Sequence, residues 1–156
     1  MNETMNTTVF LTVISGVLTY VLGQLVLKLL IEPVQEMKKL IGQIAHSLTE
    51  HANVIHNPGM LSQEITSTTS QHLRKLSAQL EAQLYLVPMY SVTACIFRLP
   101  TRNQVLSATR SLIGLSNSVF RVADGICESN VKRVENIHDS LGLYLAEGDR
   151  WPEENK

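Results

Sequence analysis

From Val9 to Ile31 the chain reads VFLTVISGVLTYVLGQLVLKLLI, 23 residues with a single charge, Lys28. As a helix this run is about 35 Å long, enough to cross a hydrocarbon core of about 30 Å. No small water-soluble fold leaves such a run exposed, so the segment is expected to be a transmembrane helix over residues 9–31. Thr12, Ser15 and Thr19 do not count against it, because their hydroxyls can bond back to the helix backbone. Lys28, near the end, can snorkel to the interface.

A cleaved signal peptide has a positive start, a shorter apolar run and a small-residue cleavage site. Residues 1–8, MNETMNTT, contain no Lys or Arg, and the run is followed by Glu32-Pro33 and a charged helix. The expectation is an uncleaved anchor preceded by a short extracytoplasmic tail over residues 1–8. Orientation follows from charge asymmetry: the N-terminal flank has only Glu3, whereas Lys28, Lys38 and Lys39 lie on the other side. The positive-inside rule then puts the N-terminus outside and residues 32–156 in the cytoplasm, with the helical domain over 32–148.

The rest of the composition narrows the function classes. Charged residues make up 17% of the chain, below the roughly 25% of soluble domains, and the anchor accounts for part of the shortfall. The 13 basic and 14 acidic residues give a net charge of −1, a balance that gives no overall basic excess of the kind expected for nucleic-acid binding. Aromatics at 5% argue against a stacking surface. Cys95 and Cys127 sit in apolar surroundings without C-x-x-C or metal-ligand spacing, as reduced structural thiols do, although two cysteines leave a disulfide open.

Beyond the anchor the hydrophobic pattern is helical, and the expected class is all-α: a transmembrane helix followed by a cytoplasmic, four-helix-bundle-like domain. The first cytoplasmic helix runs from Pro33 to about His56 with a seam of Val34, Met37, Ile41, Ile44, Leu48, Ala52 and Ile55, and Asn57-Pro58-Gly59 ends it. Pro33 suits a first helical position, so the spacing leaves open whether the chain breaks or merely kinks there. The second starts near Ser62 or as late as Ser70, carries Leu73, Leu76, Leu80, Leu84 and Val87, and meets Pro88. Val92–Phe97 is the one segment with an ambiguous pattern, a bent extension being one reading of Met89–Leu99.

The third helix opens on Thr101-Arg-Asn-Gln104, a capping box. It carries Val105, Ala108, Leu112, Leu115 and Val119, plus a second stripe of Leu106, Ile113 and Phe120, the mark of a central helix. The fourth covers about Glu128 to Leu145 with Val131, Val134, Ile137, His138 and Leu141. An acidic tail over 149–156 is expected to be disordered.

No catalytic constellation emerges, so the chain reads as a non-enzyme without cofactor or metal. Glu135-x-x-His138 is half of a di-iron motif, and its nearest counterpart, Gln43-x-x-His46, lacks the carboxylate. His46 and Glu50 share a helix face, as solvated residues often do. The candidate sites are for association. Thr12, Gly16, Thr19 and Gly23 form a small-residue stripe in the anchor beside Gln24, the kind of surface on which helices pack in lipid. Continued in phase, that stripe would run through Leu27, Leu30 and Val34 into the cytoplasmic seam. Arg74, Lys75 and the Ser116-Asn117-Ser118 turn are the candidate contacts for an unidentified protein partner.

Several segments together carry a resemblance: Lys28-Leu-Leu-Ile-Glu-Pro33 after the anchor, Ile44-Ala-His-Ser-Leu48, Asn57-Pro58, Leu73-Arg-Lys-Leu-Ser-Ala-Gln-Leu80 with Pro88 and Tyr90, and Leu112-Ile-Gly-Leu-Ser-Asn-Ser118. Over about residues 10–120 the chain resembles a group of small bacterial single-pass membrane proteins of uncharacterised function. The resemblance implies a bacterial inner-membrane location and brings no activity, cofactor or catalytic residue. The expected function is a membrane-anchored interaction or scaffold module whose partners are the bilayer, an unidentified protein and a second copy of itself. The alternative is an oligomeric, membrane-perturbing protein of the holin or defence-effector type.

Overall fold

The computed structural model describes residues 2–145, which form helices and connecting turns with no strand among them. The acidic tail expected over 149–156 lies outside the described residues. Helix α1 (Asn2–Val26) passes through a π-helical turn (Leu27–Ile31) into α2 (Glu32–Glu50). Thr7 to Glu50 is one helix of 44 residues, long and apolar enough at its N-terminal end to cross a membrane. The exposed side chains of α1, from Val9 to Val26, touch none of the bundle's core.

Pro33 explains the π turn. A proline inside an α-helix has no N–H to donate, and its ring clashes with the carbonyl four residues back. Here the Glu32 N–H reaches back to the Leu27 carbonyl, one residue further than in an α-helix. The wider turn accommodates the ring, as π-bulges do. The helix therefore neither breaks nor stops at Pro33, but it takes in one extra residue, so the stripe of α1 does not continue in phase into the seam of α2.

The break comes later, at His51. The short α3 (Ala52–His56) follows, and the turn Asn57-Pro58-Gly59 leads to α4 (Gln63–Leu86). Gly59 has φ +73, and a Cβ there would lie 2.2 Å from Val122 Cγ2, so only glycine fits. Ser62 caps α4 by accepting from the Ile65 N–H. The polar start of α4 is helical from Gln63, and Thr66, Thr69 and Ser70 are buried there. Their small side chains suit close packing against neighbouring helices.

After α4 come α5 (Tyr90–Phe97), α6 (Arg102–Ser118) and α7 (Ile126–Leu141). Both halves of the Thr101–Gln104 capping box form. Gly142, at φ +67, ends α7, a C-terminal position where glycine avoids the Cβ penalty. The ambiguous segment is α5, bent 104° from α4. It is bracketed by two non-glycine residues in the left-handed region, Met89 (φ 47) and Arg98 (φ 54). That conformation costs roughly 1–2 kcal/mol per residue. Tyr90 Oη donates to the Pro100 carbonyl at 2.7 Å and Thr93 Oγ1 to the Pro88 carbonyl at 2.8 Å, which fixes both ends of the corner. Burial pushes the Tyr90 phenol above its ordinary range, opposed by the nearby Arg102.

Helices α2, α4, α6 and α7 run alternately up and down. Ser47 meets His72, Ser70 and Ser77 donate to the carbonyls of Ser116 and Thr109, and Ser107 donates to Asn136. Helix α6 packs between α4 and α7, and its seam of Val105, Ala108, Leu112, Leu115 and Val119 is fully buried. Its second stripe is not: Leu106 is half-buried, while Ile113 and Phe120 are 40% and 49% exposed. The α-helical seams of the four helices join in one core with Tyr90, Ala94 and Leu99. One end of the bundle gathers the start of α2, the end of α4, α5, the start of α6 and the end of α7. The other gathers α3, the start of α4, the end of α6 and the start of α7.

Candidate functional site

The hydroxyls of the α1 stripe bond to their own helix. Thr12 donates to the Thr8 carbonyl, Ser15 to Thr12 and Thr19 to Ser15, at 2.8–2.9 Å. Thr12, Gly16, Thr19 and Gly23 are exposed, with Gln24 beside them half-exposed. A Cβ added at Gly16 or Gly23 would meet nothing within 4 Å. The two glycines are therefore not required by any packing within the chain.

The residues singled out on α4 and α6 are largely engaged inside the bundle. Ser116 and Ser118 are buried in the last turn of α6. Ser116 donates to the Ile113 carbonyl, and its own carbonyl accepts from Ser70. Arg74 Nη2 donates to Asn117 Oδ1 at 2.7 Å, linking α4 to α6. Lys75 is exposed at the rim of a shallow cleft of about 320 Å³ that also borders His46, Ser47, Glu50 and His72.

Three histidines gather near that cleft. Ser47 Oγ lies 2.9 Å from His72 Nε2, and the His51 and His72 rings sit 5.5 Å apart, centre to centre. Glu50 lies 3.7 Å from His46 and 3.8 Å from His51. Among the described residues no group of three His, Cys, Asp or Glu side chains is placed to hold a metal ion. His138 Nδ1 pairs with the Val134 carbonyl of its own helix at 2.9 Å.

The residue that sequence reasoning missed is Asn130. It is fully buried, and its Nδ2 donates to the Ile55 carbonyl at 2.9 Å. Its Oδ1 accepts from Ser118 Oγ and, at 3.1 Å, from Arg133. One amide thus ties α3, α6 and α7 together. It satisfies a carbonyl in the last turn of α3, where no intrahelical donor remains. The signal was its spacing, since Asn130, Val134, Ile137 and Leu141 follow each other at four, three and four residues. Arg133 itself lies across Gly114, where a Cβ would come within 2.7 Å of its Nε. Together with Arg121, Asn117 and the start of α7, they border an open cleft of about 430 Å³.

No family model, curated protein or solved structure matches this chain. Its functional reading therefore rests on its own geometry.

Proposed function

We infer that the chain is a single-pass protein of a bacterial inner membrane, anchored by α1, whose helical domain lies in the cytoplasm and acts as an interaction module without catalysis. The observation that carries this reading is the unbroken helix from Thr7 to Glu50. It makes the anchor and the first core helix of the bundle one rod about 65 Å long, so that whatever the anchor meets in the membrane moves the bundle with it. The charge asymmetry around α1 supports the orientation. A reporter fused after Lys156 is expected to be active in the cytoplasm, and one fused at residue 2 is not; activity of the C-terminal fusion outside the cytoplasm would refute the assignment.

The anchor is the surface for self-association. Lipid tails are as apolar as leucine, so packing of small residues, with interhelical hydrogen bonds, drives helices together in a bilayer. Gly16 and Gly23 carry a propensity cost of about 1 kcal/mol each relative to alanine with no compensating contact inside the chain. Gly16→Leu with Gly23→Leu is expected to lower the dimer signal of the full-length protein in a membrane two-hybrid assay. Leu18→Ala with Leu25→Ala, off the stripe, should leave it unchanged. Equal signals from the two double variants would assign association to the bundle instead.

A further inference from the structure

We propose that α5 lies flat on the inner surface of the bilayer that α1 crosses, so that the bundle is held to the lipid at two places; this rests on the reading of α1 as an anchor.

The face itself is plain. Met89, Val92 and Ile96 are 77%, 51% and 67% exposed, and Tyr85 and Leu86 on the last turn of α4 are 77% and 61% exposed. Within α5 the spacing of Val92 and Ile96 puts them on one side, opposite Tyr90 and Ala94, which are buried in the core, and the exposed Met89 precedes the helix. Exposed apolar side chains gathered on one short helix and the turn before it suit a contact with something apolar. Two left-handed non-glycine residues hold it in place, an expensive arrangement for a plain connection between helices.

The position says what covers it. Helix α4 runs back along α2 from His72, beside Ser47, to Leu86, which borders the same cleft as Glu36, Lys39 and Leu40. The axis of α4 therefore follows that of the α1–α2 rod, and its last turn ends level with Pro33–Glu36. That level is two to five residues past Ile31, or about 3–8 Å along the helix. The headgroup layer is of the same depth, roughly 5–8 Å on each side of the hydrocarbon core. The 104° bend then turns α5 across the rod, into the plane of a membrane that the rod crosses.

The chemistry agrees with an interfacial helix. From Ala82 to Ala123 the chain has no acidic residue, and Arg98 and Arg102 stand exposed just after the apolar face. These arginines suit anionic headgroups. Tyr85, together with Tyr144 beyond the end of α7 at the same end of the bundle and 88% exposed, supplies aromatic rings of the kind enriched at membrane interfaces.

The chain carries its own probes. Cys95 is exposed on α5 and Cys127 is exposed at the opposite end of the bundle. The full-length variants Cys127→Ser and Cys95→Ser each leave one thiol for a nitroxide label. They would be reconstituted in vesicles of phosphatidylethanolamine and phosphatidylglycerol and washed with alkaline carbonate. In protein that stays on the vesicles, the label at Cys95 should be several-fold more accessible to oxygen, relative to a water-soluble nickel chelate, than the label at Cys127. Adding Val92→Glu with Ile96→Glu, both at exposed positions, should return Cys95 to the aqueous value while the protein stays carbonate-resistant. Equal, water-like values at the two thiols in carbonate-resistant protein would overturn the proposal and leave the anchor intact. So would a Cys95 label shielded from both reagents and broadened by a neighbouring label, which would mean a second copy covers the face. Removal by carbonate would instead strike the anchor, and the proposal with it.

Discussion

Leu112→Asp is expected to unfold the bundle while leaving α1 helical. Leu112 is fully buried at the middle of α6, between α4 and α7. Removing a core leucine alone costs about 2–5 kcal/mol. The aspartate adds the penalty of an uncharged but unpartnered, or charged and unpaired, carboxyl in an apolar site. A total on the order of 5 kcal/mol or more approaches the whole stability of a domain this size. In detergent, the variant should lose the cooperative thermal transition seen by circular dichroism and become sensitive to protease between residues 32 and 141. A full-length variant that melts like the wild type would mean that α6 is not the centre of the bundle.

The second large effect is expected at Asn130. Asn130→Ala removes the donor to the Ile55 carbonyl and the acceptor shared by Ser118 and Arg133. Leaving buried polar groups unpaired costs about 1–3 kcal/mol each, so a loss of roughly 2–4 kcal/mol is expected. This would lower the melting temperature by roughly 10 °C or more in a domain of about this length. Ser107→Ala is the control. It deletes a 2.8 Å bond to Asn136 at the same pair of helices, but at an exposed site, and should change stability by no more than about 0.5 kcal/mol. Similar losses from both variants would show that burial of the Asn130 amide is not what ties α3 to α7.

Most of the helical plan was legible because each boundary has a local chemical cause. The Thr101–Gln104 box, the Ser62 cap, Asn57-Pro58-Gly59 and Pro88 act through a few neighbouring residues, and the structure uses each of them. The seams of α4 and α6 were legible for the same reason, since a buried stripe at helical period needs no knowledge of what it packs against. Three things were not. The outer stripe of Leu106, Ile113 and Phe120 has the same period as a buried one, and only the arrangement of neighbouring helices leaves Ile113 and Phe120 exposed. The α5 corner depends on left-handed backbone at Met89 and Arg98, residue types with no tendency toward it. The serines of α4 and α6 look like surface residues or partner contacts until the antiparallel register brings Ser70 to the Ser116 carbonyl and Ser77 to that of Thr109.

The π turn at Leu27–Ile31 sets an angle as well as easing Pro33 into the helix. Because the turn absorbs one extra residue, everything beyond it is rotated by roughly 100° and set back by about 1.5 Å relative to an uninterrupted α-helix. The small-residue stripe of α1 and the buried seam of α2 therefore point to different compass bearings around the shared axis. If two copies met along the stripe, they would present the outer walls of their bundles to each other, and neither would have to open its core. Were the turn to relax to α-helix, the same rod would swing the bundle about its long axis by that rotation, turning every surface of the bundle to a new heading relative to α1.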